Sequence, residues 1–298
     1  MHTPQNRFPL ELIPEIIAHP ENYRVQSIVP YTRYNDEASF PIILKKTLDS
    51  AQSVVFLELS ATGTRSRDVI LEIVAVRCSV IFEKDELISI DALLHQYEAP
   101  HFPIPSYVTR QTGLTNQMLG ARTFNVSDVK HIFADDPVVI STRGTAYRDV
   151  FEKRFSSLSG LRWVNSTIDI PWGKLNSRLD SKENLALNCS RLGYFFNYAN
   201  VLETALSNVW FFHYVSGAVK AVADALLYEE YLVWAVGASF EVKDELKFSG
   251  YRWDRDKKCW YKHVKTLAEV EEEKVYLSSK CADSKLIQVE VIGTRKNK

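Results

Sequence analysis

Between residues 243 and 265 the chain carries eight basic residues, Lys243, Lys247, Arg252, Arg255, Lys257, Lys258, Lys262 and Lys265, against four acidic ones. Five aromatics, Phe248, Tyr251, Trp253, Trp260 and Tyr261, are interleaved with them. Cationic side chains neutralise phosphates while aromatic faces stack on bases, so this stretch has the chemistry of sequence-tolerant single-strand binding. The patch is local: 36 basic and 37 acidic residues give the whole chain a net charge of -1, which removes any argument from a globally basic protein. The four cysteines, Cys78, Cys189, Cys259 and Cys281, form no Cys-x-x-Cys pair, so neither a zinc ribbon nor a redox motif is indicated and a reducing cytoplasm is expected. His101, His131 and His213 are isolated, and no role is assigned to them.

These groups have to be positioned by a chain of 298 residues, 46% of them hydrophobic, long enough for one large domain and a small one. No stretch approaches the 18 or so uncharged apolar residues of a membrane helix, and the N-terminus lacks a leader's apolar core, so a soluble, cytoplasmic protein with no membrane partner is expected. Residues 1–51 are read as an N-terminal arm, a helix plus a strand, with Phe8, Leu10, Leu12, Ile13, Ile16 and Ile17 near helical spacing. Apolar runs predict strands from Val54, over Val69 to Val80 and over Leu87 to Leu94. Thr109 and Thr112 are placed to cap helical turns around Gly113. A helix over Asp128 to Phe133, a strand over Pro137 to Ser141 and helices over Arg148 to Phe155, Asn184 to Leu192 and Asn200 to Val215 complete an α/β order. Residues 216–230 form a linker or helix. Residues 231–298 form a small basic α+β module with strands at Leu232 to Phe240, Trp260 to His263 and Ser284 to Ile292, helices at Lys243 to Ser249 and Thr266 to Leu277, and a basic tail.

The string Val54-Val55-Phe56-Leu57-Glu58-Leu59-Ser60-Ala61-Thr62-Gly63, with Val69-Ile70-Leu71-Glu72-Ile73-Val74 after it, resembles the first motif of the DnaQ-like branch of the DEDD 3'-5' exonucleases. Pro103-Ile104-Pro105, Thr112-Gly113-Leu114-Thr115 and Met118-Leu119 resemble that family's connector. The resemblance covers residues 52 to about 215 and implies a ribonuclease H-like fold, a mixed central sheet flanked by helices. The family hydrolyses phosphodiesters with two divalent ions, Mg²⁺ or Mn²⁺, held by carboxylates. Carried over motif by motif, Glu58 and Ser60 take the places of the first Asp and Glu, and Arg148 takes the place of the second motif's Asp with Asp149 beside it. Ala199 and Thr204 take the places of the third motif's His and Asp, or Asn200 and Ala205 in a shifted register. One carboxylate in five positions, or two after a slip in register, compensates two divalent cations poorly.

The expectation is therefore a nucleic-acid-binding or assembly-scaffold protein that kept the exonuclease fold without two-metal catalysis and without a metal cofactor. One alternative is a divergent 3'-5' exonuclease of single-stranded DNA or RNA, holding Mg²⁺ or Mn²⁺ through Glu58 and Asp149, or through a site rebuilt from Glu58, Glu72, Asp149, Asp169 and Glu203. Its strand end would lie by Thr62 and Gly63. Another is a structural subunit of a nucleic-acid-processing complex whose old cleft holds protein. Glu72 in an apolar strand also reads as a hydrogen-bonded structural residue, and Asp169 before Pro171 as a turn residue. Lys243-Asp244-Glu245-Leu246-Lys247 with Gly250-Tyr251-Arg252-Trp253 and Trp260-Tyr261-Lys262 resembles a small module that follows such domains in bacterial proteins. There Lys247, Arg252, Arg255, Lys257, Lys258 and Lys262 are the candidate phosphate contacts, and Trp253 and Trp260 are expected chiefly in the core of so small a unit.

Overall fold

The computed structural model describes residues 9–34, 38–63, 68–227, 230–254, 257–264, 267–281 and 287–293. The strands are β1 (Ser27–Ile28), β2 (Ile42–Ile43), β3 (Gln52–Ala61), β4 (Ile70–Ile81), β5 (Glu86–Tyr97), β6 (Val138–Ser141), β7 (Trp163–Asn165), β8 (Tyr194–Phe195), β9 (Glu230–Ala235), β10 (Arg252–Asp254), β11 (Cys259–Val264) and β12 (Gln288–Gly293). The helices are α1 (Ile13–Ala18), α2 (Ser106–Thr112), α3 (Asn116–Leu119), α4 (Val126–Ile132), α5 (Thr145–Arg154), α6 (Trp172–Leu175), α7 (Leu185–Arg191), α8 (Val201–Tyr214), α9 (Ala218–Leu226), α10 (Lys243–Phe248) and α11 (Leu267–Ser278). None is long and apolar enough to cross a membrane among the described residues.

Six strands form one sheet in the order β2-β5-β4-β3-β6-β7. The pairs from β2 to β3 are antiparallel, while β3, β6 and β7 run parallel. Alternate side chains of a strand point to opposite faces, and here both faces are covered, which is why residues 54–57 of β3 read as a continuous apolar run. Val54 and Phe56 of β3 pack with Val74 and Val76 of β4 under α8 and α9. Val55, Leu57 and Leu59 pack with Ile73 and Ala75 against α4 and α5 on the other face. This is the helix-flanked mixed sheet that the ribonuclease H-like resemblance implies.

Several elements differ from the sequence reading. Residues 10–18 are helical, but Leu10, Ile13 and Ile17 are exposed and Leu12 and Ile16 only half-buried, so the apolar spacing of the arm makes no full core contact there. Phe8 lies outside the described residues. Thr115, rather than Thr109 or Thr112, caps α3 by accepting from the Met118 amide. Within the span 216–230, α9 buries Val219, Ala221 and Val222 in the core that α8 lines. Its N-terminus is tied to the β4–β5 turn by Asp85, whose carboxylate accepts from the Gly217 amide and, at 3.0 Å, from the Lys220 amide.

The C-terminal strands make a separate antiparallel sheet in the order β10-β11-β9-β12. Strand β9 stops at Ala235, well before Phe240, because Gly237 at φ 77° turns the chain. Strand β10 was unforeseen. Tyr231, Val233, Leu246, Tyr251, Val270 and Leu277 form the small core. Trp260 packs at its margin, but Trp253 is 47% exposed and is not a core residue.

Candidate nucleic-acid cleft

The cleft lies where the parallel strands β3 and β6 end, the usual place for a site in such a sheet. Val54 and Phe56 point toward α8, and Glu58 and Ser60 continue the same row past the first turn of that helix. Glu58, Ser60, Thr62, Gly63, Ala199 and Thr204 all line one cavity of about 400 Å³, together with Tyr107, Thr142, Arg143, Tyr147 and Tyr198. The structure thus brings together four of the six positions that match the catalytic motifs. It leaves out the other two. Tyr147 lines the cavity, whereas Arg148 binds Glu152 through Nε at 2.8 Å and Asp149 sits on the exposed side of α5.

Glu58 is 3% exposed and both its oxygens are engaged. The Thr142 amide donates to Oε1 at 2.7 Å and the Thr142 hydroxyl to Oε2 at 2.7 Å. The parallel pairing of Phe56 with Ile140 explains this, since two residues further Glu58 and Thr142 stand side by side. Burial pushes the Glu58 carboxyl up to about 7, against the opposing pull of the two Thr142 bonds and the Arg143 charge. Beside it, the Arg143 guanidinium lies 5.6 Å from the centre of the Tyr147 ring, a cation–π distance. Gly144, at φ 44°, turns the chain between Arg143 and α5.

The other candidates are spent inside the protein. The Ser60 hydroxyl donates to Glu72 Oε2 at 3.0 Å, and Glu72 Oε1 meets His95 Nε2 at 2.8 Å. The Thr204 hydroxyl donates to the Asn200 carbonyl of its own helix at 2.9 Å. Asp169 accepts from the Asn165 amide at 2.8 Å and shapes a turn, and Glu203 accepts from the Asn197 amide at 2.8 Å. Thr62 takes the Val69 amide on its hydroxyl at 3.1 Å, and a Cβ on Gly63 would stand 2.4 Å from an Asp68 carboxylate oxygen. The hairpin beside the cleft therefore closes tightly on itself.

A two-ion site needs several free carboxylate oxygens converging on one point. Here Glu58 accepts from Thr142 on both oxygens, Glu72 is engaged by Ser60 and His95, the other motif positions supply hydroxyls or a methyl group, and a guanidinium adds positive charge. Among the described residues no three His, Cys, Asp or Glu side chains are grouped to hold a metal. Neither the Glu58–Asp149 pair nor the five-carboxylate set comes together, so the converging carboxylates of a two-ion site are not assembled around Glu58. Thr142, which holds Glu58, carries no signal in the sequence beyond its place after the β6 run. A larger cavity of about 670 Å³, with Arg122, Lys153 and Arg154 in its lining, shares no lining residue with the cleft, and Arg154 there is bound to Glu98 at 2.6 and 2.8 Å.

In comparison with known proteins, no family model matches this chain and no curated protein matches it. Among solved structures it is similar to a 3'-exonuclease described in the 3'-end-specific recognition of a histone mRNA stem-loop, with 14% identity and a TM-score of 0.40 over 59% of this chain and 84% of that one. A full-length 3'-exonuclease gives 14% identity and a TM-score of 0.41 over 60% of this chain and 64% of that one. Exonuclease I of E. coli, in complex with a dT13 oligonucleotide, gives 11% and 0.41 over 61% of this chain and 48% of that one, so the chain spans about half its length.

Proposed function

We propose that this protein binds single-stranded nucleic acid on an exonuclease-type fold whose cleft does not hydrolyse it. The carrying observation is Glu58, with both oxygens taken by Thr142 and with Arg143 beside it. A two-ion centre needs several carboxylates that turn free lone pairs to the metal ions, whereas at this carboxylate one lone pair on each oxygen is already held by Thr142. A fixed guanidinium supplies positive charge for a phosphate without an ion, which favours retention of a strand over activation of water.

The test is titration of Mn²⁺ into the pure protein by calorimetry, beside Glu58→Ala, followed by incubation with a 3'-end-labelled single strand. The expected result is no saturable ion binding, an intact strand, and a strand that is nonetheless bound at low salt. Ion-dependent shortening that disappears in Glu58→Ala would establish the divergent exonuclease instead. A protein that ignores the strand but purifies stoichiometrically with another protein would establish the complex-subunit reading.

A further inference from the structure

The C-terminal sheet ends in a second cavity, of about 300 Å³, at the lower end of ligand-sized clefts. It is framed by the turn after β9, the β10–β11 hairpin tip and the start of β12, and Trp234, Trp253, Trp260, Lys257 and Lys258 give it its chemistry. Three tryptophans around one small cavity is a large share of the six in the chain. We propose that this pocket receives one base of a single-stranded nucleic acid, stacked on Trp253, with a neighbouring phosphate on the Lys258 ammonium. The proposal rests on the nucleic-acid-binding reading above and gives that reading a location.

The division of labour follows from what each side chain already touches. Trp234 is 5% exposed; its indole N–H donates to Glu290 at 3.1 Å, and the Lys257 ammonium lies 4.0 Å above its ring. Lys257 is itself bound to Glu290 at 3.0 Å. Those two form the wall. Trp260 meets Trp253 edge to face at 5.4 Å, which steadies Trp253 while leaving it 47% exposed. A rigid, half-exposed indole is the platform that base stacking needs. Lys258 is exposed and makes no ion pair among the described residues; nor does Arg252, the exposed neighbour of Trp253 on β10. Lys262, by contrast, is bound to Glu273 and is not available. A proline-rich peptide would also suit an aromatic pocket, but the Lys258 ammonium in its lining, without an ion pair among the described residues, favours a polyanion.

The experiment is fluorescence anisotropy of a labelled 12-nucleotide thymidine strand at low salt with the full chain, Trp253→Ala, Trp253→Phe, Lys258→Ala and the cleft variant Arg143→Ala. The same strand with abasic sites replacing its bases is run beside it. Loss of one base–aromatic stack in Trp253→Ala is expected to weaken binding roughly 5- to 150-fold. Trp253→Phe retains most of the affinity, Lys258→Ala weakens it, and the abasic strand binds weakly whether or not Trp253 is present. The abasic comparison needs no substitution, so it stands even if Trp253→Ala folds poorly. If the wild-type chain binds the strand and neither the Trp253 and Lys258 substitutions nor base removal changes the affinity, the pocket is overturned and the nucleic-acid reading survives. If the wild-type chain ignores the strand, that reading falls and takes the pocket with it.

Discussion

Glu58 concentrates the residue-scale argument. A carboxyl held up at about 7 in the folded chain and titrating near 4.5 when unfolded binds a proton in the native state across that interval that the unfolded chain has lost. Stability therefore falls as pH rises from about 4.5 through 7 and levels above it, by about 3 kcal/mol in all. Thr142, Arg143 and Tyr147 face it, with Glu72 on the same face of the neighbouring strand β4, and the Arg143 charge opposes the effect. In Glu58→Gln the amide oxygen still accepts from the Thr142 amide, while the NH₂ group donates to the Thr142 hydroxyl. Urea unfolding at pH 5.5 and 8 should show the wild-type loss and a nearly flat Glu58→Gln. Parallel curves for the two proteins would mean that Glu58 is ionised throughout. The meeting of Glu58 with Ser60 was legible from the two-residue repeat of a strand. The capture of Glu58 by Thr142 was not, because it depends on which strand lies alongside β3.

The long elements were legible because β3, β4 and β5, ten to twelve residues each, are rich in β-branched and aliphatic residues. The three-residue strands β7 and β10 were not, since so short a segment carries no periodicity and is fixed by its neighbours. Two connections invisible in the pattern hold the elements in place. Gly144 has φ 44° and ψ -119°, and a Cβ there would stand 2.6 Å from Asn165 Cβ. Asn165 cannot yield easily, for its side-chain oxygen accepts the Thr167 and Ile168 amides at 3.0 and 3.2 Å. Gly144→Ala is expected to cost about 2–4 kcal/mol from backbone strain and overpacking together. Asp85→Ala strips α9 of the carboxylate that caps it and should cost about 1–2 kcal/mol, with Asp85→Asn losing less. Urea midpoints check both. An unchanged midpoint in Asp85→Ala would mean that α9 is held by its buried face alone.

At the scale of the whole molecule the question is how a chain of net charge -1 holds a polyanion. The two units are within electrostatic reach: the Asp149 carboxyl on α5 senses Asp254 on β10, and Tyr261 on β11 senses Asp149. Helix α5 also begins at the cleft, and a strand long enough to reach both units would have to pass the carboxylates of Asp149 and Asp254. Arg143, Lys247, Arg252 and Lys258 are cations without an ion pair among the described residues, and Arg255 lies outside them. Each phosphate contact to a single strand contributes a slope of about -0.7 to the plot of log affinity against log salt. Three or four contacts predict a total slope of about -2 to -3. Removing Lys258 should make it shallower by about 0.7, and removing Arg143 should do the same only if one strand reaches both units. Measured with strands of 6 and 20 nucleotides, the Arg143→Ala effect should appear with the longer strand alone. Equal effects on both lengths would place the short strand in the cleft itself, and a much steeper slope would require a basic surface that this chain's charge does not supply.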